Sequence, residues 1–221
     1  MFPLSEKPDL VLFDCDGVLV DSEPISNPIF TKMLQQAGVP ISLTGMQARY
    51  VGMAMPDIRQ AVEGEFGVVL DEGWHNRYRQ ACDEAFEKFL KPVRGSRVAV
   101  EAVAEAGINY CVASSGPPKK MAVTLGITEL MPLFEGRLFS GWDVPQSKPD
   151  PAIFLMAAEN FGAAPANCVV IEDSVVGVTA GIAAGMKVLG YAPNSNSTQL
   201  AELGAHIFTH MEDVPLLLGL S

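Results

Sequence analysis

Two aspartates, Asp14 and Asp16, stand two residues apart at the end of the apolar run Leu10–Phe13, and Gly17 follows at once. Side chains alternate faces along an extended chain, so the pair can point one way while Cys15 points back into protein. Like charges that close need a cation, a shared proton or wide separation. A second acidic pair, Glu172 and Asp173, ends the apolar residues 168–171. Oxygen ligands from separate strand ends suit a hard ion such as Mg²⁺, which takes few carboxylates and completes its shell with water and substrate phosphate. Ser114-Ser115-Gly116-Pro117-Pro118 places hydroxyls and free backbone N–H groups ahead of a helical stretch, a setting for an anion. Lys148 lies in Ser147-Lys148-Pro149-Asp150-Pro151, beside a helix expected to take Asp150 as its N-cap and run to about Phe161. A lysine anchored there can hold a phosphate or neutralise carboxylates. Each feature alone has a plainer reading: turn aspartates around Gly17, a helix cap at Asp173 or Ser174, a solvated lysine.

What gathers them is the order of elements. Residues 10–13, 108–113, 168–171 and 187–189 read as short strands buried on both faces, alternating with helical sequence. That rhythm predicts an α/β fold, a doubly wound parallel sheet with helices on both sides. Ligands bind such sheets beyond the carboxyl ends of the strands, where the four motifs fall. Gly107, Gly126, Gly162 and Gly185 are expected to close helices in the left-handed conformation. Residues 24–90 break the rhythm with amphipathic patterns: Ile29, Met33, Leu34 and Ala37; Ile58, Val62 and Phe66; Tyr78, Cys82, Ala85, Phe86 and Phe89. They predict an all-helical insertion at 21–90, set into a core of 1–20 and 91–221, with linkers at residues 20–23 and 91–95.

Composition narrows the function. The 221 residues carry a formal charge of −11, with 15 basic against 26 acidic groups. Such a chain lacks the cationic stripe needed for nucleic acid or an anionic membrane surface, and neither is expected as a partner. A hydrophobic content of 48% supplies a core and excludes wholesale disorder. Cys15, Cys82, Cys111 and Cys168 form no CxxC pair and read as reduced, buried thiols. With no signal-peptide pattern and no apolar stretch near the ~20 residues of a membrane span, a cytoplasmic monomer is expected.

Taken in order, DCDGVLVDSEP at 14–24, VASSG at 112–116, SKPDP at 147–151 and VVIEDSVVG at 169–177 resemble the four motifs of the haloacid dehalogenase superfamily. The resemblance spans nearly the whole chain, and the insertion after the first motif is similar to the cap of its beta-phosphoglucomutase-like subfamily. The strings VASSGPPKKM, LFSGWDV and KPDP resemble a bacterial 6-phosphogluconate phosphatase type. The resemblance implies a core of Rossmann-like topology and a phosphatase acting on a small phosphate monoester through an aspartyl phosphate. Asp14 would be the nucleophile and Asp16 the general acid and base. Mg²⁺ would be held by Asp14, the backbone carbonyl of Asp16, and Asp173, with Glu172 in or near its shell. Ser114, Ser115, Gly116 and Lys148 would bind the phosphoryl oxygens.

Other chemistries of the superfamily fit less well. A dehalogenase would lack the carboxylate at position 16. A phosphonatase would want a Schiff-base lysine in the cap, where Lys32 and Lys88 are poorly placed. A sugar-phosphate mutase would carry a histidine where Ile25, Ser26 and Asn27 stand, and its second phosphate would find only Arg49 and Arg59. The mutase stays an alternative, as does a non-catalytic phosphometabolite-binding domain, which has no need of a nucleophile beside an acid. Arg49, Tyr50, Met53 and Met55, in the loop region 49–56, are candidate substrate contacts. Gly177, Gly181 and Gly185 read as close helix–sheet packing, and His206 and His210, without an intervening Glu, as no metal pair.

Overall fold

The computed structural model describes residues 6–51, 53, 55–193 and 197–220. Six parallel strands form its sheet: β1 (Leu10–Phe13), β2 (Asn109–Ser114), β3 (Leu138–Ser140), β4 (Cys168–Glu172), β5 (Lys187–Tyr191) and β6 (His206–Phe208), in the order β3-β2-β1-β4-β5-β6. The four expected strands are present. The edge strands β3 and β6 were not marked by an apolar run, because each is three residues long and only its last residue is buried.

The first strand lies at the centre, with Phe13 level with Val112 on one side and Ile171 on the other. Its alternate residues feed two different cores. Val11 and Phe13 join Val112, Val169 and Ile171, with Val100 and Val103 from α5 (Ser96–Glu105) and Met121 and Leu125 from α6 (Pro118–Ile127). Leu10 and Leu12 join Ile153 and Phe154 of α7 (Ala152–Asn160) and Val178 and Ala180 of α8 (Val175–Ala183) on the opposite face. Burial on both faces is why these strands carry no polar alternation. Short helices α9 (Ser197–Glu202) and α10 (Val214–Leu217) complete the chain. No helix among the described residues is long and apolar enough to cross a membrane.

Between β1 and α5 the chain forms α1 (Glu23–Gln36), α2 (Leu43–Tyr50), α3 (Met55–Phe66) and α4 (Trp74–Phe89), which share an apolar cluster of their own around Phe30, Leu34, Met46, Val62 and Trp74. Phe89, expected on the apolar face, is 65% exposed at the end of α4. The chain enters and leaves this segment through a paired crossing. Val20 bridges Pro92 in antiparallel fashion, Asp21 N donates to Lys91 O at 3.0 Å, and Val93 N donates to Leu19 O at 2.9 Å.

Two local expectations shift. Gly107, Gly162 and Gly185 take the left-handed conformation, but α6 continues through Gly126 and it is Glu129 that turns, at φ 60°. The helix after Lys148 begins at Ala152 with Pro151 in the cap position, and Asp150 Oδ1 accepts from Ala152 N at 2.9 Å ahead of it. Ser174 rather than Asp173 caps α8, its side chain accepting from Gly177 N.

Candidate active site

The register that levels β1, β2 and β4 brings Asp14, Ser114 and Glu172 to one end of the sheet. Lys148 joins them from the loop before α7. Its Nζ donates to Asp14 Oδ1 at 2.7 Å, to Glu172 Oε1 at 2.6 Å and to the Ala113 carbonyl at 2.9 Å, so all three ammonium protons are used inside the protein. Lys148 is 4% exposed and Glu172 1%. Glu172 is saturated on its other side as well, where Oε2 accepts from Asp173 N, Ser174 N and Ser174 Oγ. Gly177 makes room for it, since a Cβ there would overlap the Glu172 carboxylate.

Burial is the main force on these acids. It pushes Asp14 up to about 7, with Lys148 opposing and the Glu172 charge reinforcing. Asp173 is driven well above the ordinary carboxylate range by burial, and then by the charges of Glu172, Glu23 and Asp14. Asp14, Glu172 and Asp173 offer oxygens within 4.8 Å of one another. An all-oxygen set under such mutual repulsion matches the chemistry of Mg²⁺, and the residues fit that ion. Glu172 is the member with no oxygen to spare, because both are committed to hydrogen bonds.

Asp16 sits apart from this cluster. Ser22 Oγ donates to its Oδ1 at 2.5 Å and Lys120 Nζ to its Oδ2 at 2.8 Å. Burial would raise the Asp16 carboxyl, but the Lys120 charge and these hydrogen bonds overcome it and hold the group below its ordinary value. Sequence reasoning missed both partners. Lys120 had one visible signal: it lies in the first turn of α6, where a cation meets the positive end of the helix dipole and needs another reason to be present. Ser22 occupies the N-cap position of α1 yet makes no cap bond, its hydroxyl being spent on Asp16.

The phosphate-binding candidates fall into place around them. Ser114 is buried, with Oγ accepting from Gly116 N at 3.2 Å, and Ser115 Oγ lies 3.3 Å from Ser147 Oγ in the lysine loop. A cavity of about 230 Å³ opens above, lined by Asp14, Asp16, Ser114, Ser115, Gly116, Lys148 and Asp173 on the sheet side. Residues of α1, α2, α3 and α4 close its other side.

A model of the haloacid dehalogenase-like hydrolases matches residues 8–185. The chain belongs to that family. Over 211 residues, 95% of this hydrolase and 94% of the relative, it is 33% identical to the 6-phosphogluconate phosphatase of Escherichia coli K12. A haloacid dehalogenase-like protein of unknown function from Agrobacterium tumefaciens superposes with a TM-score of 0.80 at 33% identity, covering 96% of this chain and 97% of that one. A putative beta-phosphoglucomutase from Thermotoga maritima gives 0.73 at 28% identity, covering 93% and 96%.

The helical side of the hydrolase's cavity divides the remaining candidates. Tyr50, Met53 and Met55 line it. Arg49 is not among the lining residues: its guanidinium is ion-paired with Glu65 and lies 5.9 Å from the centre of the Phe66 ring. Arg59 is likewise committed, to Glu63 and the Leu70 carbonyl. The cations that do line the cavity besides Lys148 are Lys120 and the exposed Arg79 of α4. Gly52 and Ala54 of the expected contact loop lie outside the described residues.

Proposed function

We propose that this hydrolase, a phosphoric monoester hydrolase, cleaves the phosphate ester of a small sugar or sugar acid through an aspartyl phosphate, with Mg²⁺ as its cofactor. The observation that carries the reading is the division of labour between two aspartates two residues apart. Asp14 is gripped by Lys148 within the acidic cluster, and Asp16 is held outside it by Lys120 and Ser22.

Asp14 attacks phosphorus, an O–P bond forms to its carboxylate, and the ester P–O bond breaks toward the sugar oxygen. Asp16 donates a proton to that oxygen as it leaves. It rests ionised, so it takes up this proton as the anionic substrate arrives, because a neighbouring negative charge raises a carboxyl. Water then attacks the aspartyl phosphate, Asp16 accepts its proton, and the Asp14–P bond breaks to release orthophosphate. Ser114 and Ser115 hold phosphoryl oxygens, and the Gly116 N–H, donated to Ser114 Oγ, orients that hydroxyl. Lys148, whose donors are taken, contributes charge rather than a further hydrogen bond, and Glu172 keeps it in place. When bound by Asp14, Asp173 and the Asp16 carbonyl, Mg²⁺ supplies the positive charge that lets a phosphate enter among these acids. Helices α1–α4 act as a cap that excludes water during transfer.

The 6-phosphogluconate phosphatase relative supports a sugar-acid ester as substrate. The pairing of Arg49 and Arg59 with glutamates counts against the mutase, whose second phosphate they would have held. Orthophosphate release from 6-phosphogluconate, glucose 1-phosphate and phosphoglycolate tests the reading, with a bisphosphate primer added to the second. Free phosphate from the sugar-acid ester is expected, and glucose 6-phosphate formed without it would favour the mutase. Asp14→Asn should fold and lose turnover, and metal-dependent hydrolysis surviving in it would exclude Asp14 as nucleophile.

A further inference from the structure

The two tryptophans live in opposite environments: Trp74 is 6% exposed, whereas Trp142 is 63% exposed. Trp142 lines the catalytic cavity. Its backbone is stitched to the phosphate-binding loop. Gly141 N donates to Ser114 O at 2.8 Å, Ser140 Oγ to Gly116 O at 2.7 Å, and Trp142 N to Ser140 Oγ at 3.1 Å. Asp143 N closes the turn onto Ser140 O at 3.0 Å. Gly141 lies so near that a Cβ on it would meet Ser115 Cα at 3.1 Å. A large apolar ring is therefore held in water beside the groups that fix the phosphoryl position, on a backbone with little freedom to fold it away.

A leaving group attached to that phosphoryl has to extend into the cavity that Trp142 lines. The helical side of the same cavity is lined by polar residues, among them Glu23, Ser26, Asn27, His75 and Arg79. One apolar face and this polar lining in a single cavity suit a ligand with a C–H face and a hydroxylated edge.

We propose that Trp142 is a specificity-determining residue: its indole packs against the carbon chain of a polyhydroxylated leaving group. This rests on the sugar or sugar-acid phosphatase reading and extends it to a residue of the core.

The test compares wild type, Trp142→Phe and Trp142→Ala on 6-phosphogluconate and on acetyl phosphate, which has almost no carbon chain to stack. The alanine variant should raise KM for the six-carbon ester about 2- to 12-fold, the range one aromatic contact is worth, with kcat little changed. KM for acetyl phosphate should stay put, and phenylalanine should recover most of the loss. A second readout needs no turnover: gluconate added to the metal-free protein should change the emission of the exposed indole in wild type and not in Trp142→Phe. Equal KM increases on both esters would mean a disturbed phosphate loop, and no increase on either would mean an idle side chain. Either result overturns the proposal, as would a larger effect on a nucleoside monophosphate than on the six-carbon ester. Wild-type protein that hydrolyses acetyl phosphate but no sugar or sugar-acid ester would instead overturn the substrate reading, before any variant is measured.

Discussion

Replacing Lys148 with methionine keeps the length of the side chain and removes its charge and three hydrogen bonds. Asp14 and Glu172, 8% and 1% exposed, then face each other with no cation between them. Removing one partner from a buried ion pair costs about 3–5 kcal/mol. For a chain of this size each kcal/mol lowers Tm by about 2–4 °C, so the variant should melt about 6–20 °C below wild type at pH 8 in EDTA. The pH dependence separates this cause from a packing defect. Burial and Glu172 already lift Asp14 to about 7 against the opposition of Lys148, so losing the lysine lifts it further. A carboxyl raised above its unfolded value of 3.8 binds more protons in the folded state across the interval between the two, and folding is favoured by acid there. The deficit should therefore be largest above pH 7 and narrow toward pH 5. Thermal melts of both proteins at pH 5 and pH 8, followed by circular dichroism, measure it. Equal melting temperatures at pH 8, or a deficit as large at pH 5, would refute the electrostatic account of Lys148.

Wild type in EDTA should lose stability as pH rises from about 4 to about 7, by the same sign, as Asp14 ionises with only Lys148 to offset its burial and the Glu172 charge. Mg²⁺ should restore more at pH 7.5 than at pH 5.5 and release protons as it binds, which an indicator dye in weak buffer reads, and thorough chelation should abolish turnover. Gly177→Ala should cost about 1–3 kcal/mol in urea unfolding and impair activity, because the new methyl group must displace Glu172 and with it the anchor of Lys148. Arg49→Ala should leave KM unchanged in steady-state assays, since the guanidinium is spent on Glu65 outside the cavity.

Much of this architecture can be read from the chain before it folds, and the parts that cannot share a cause. β1, β2, β4 and β5 announce themselves because both faces are buried, so nearly every residue is apolar. The acids at their ends stand out against that background. β3 and β6 are edge strands with partly exposed residues, and such strands need no unbroken apolar run. Lys120 and Asp16 are 104 positions apart, and only the packing of α6 against β2 and β1 makes them neighbours. Arg49 shows the converse: its place in the expected contact region suggested substrate, but Glu65 on α3, sixteen residues on, turns it outward. Trp142 lay within a string noted only for its resemblance, because exposure and the anchoring of its turn have no signature in residue type.

The paired crossing at residues 19–21 and 91–93 bears on the closure proposed for the helical segment. Two separate flexible tethers would let it slide and tumble, whereas two chains bonded to each other act as a single strap that bends chiefly about one axis. In the proposed closure fewer orientations would then be lost, and its entropic penalty would be correspondingly small. The strap is also continuous with the loop that carries Asp16. Asp16 pairs with Val20 as an isolated bridge, and Ser22, one residue beyond the strap, bonds the Asp16 carboxylate. A swing of the helices would therefore pull directly on the carboxylate proposed to move the proton, and the door and the latch of such an enzyme would be cut from one piece of chain.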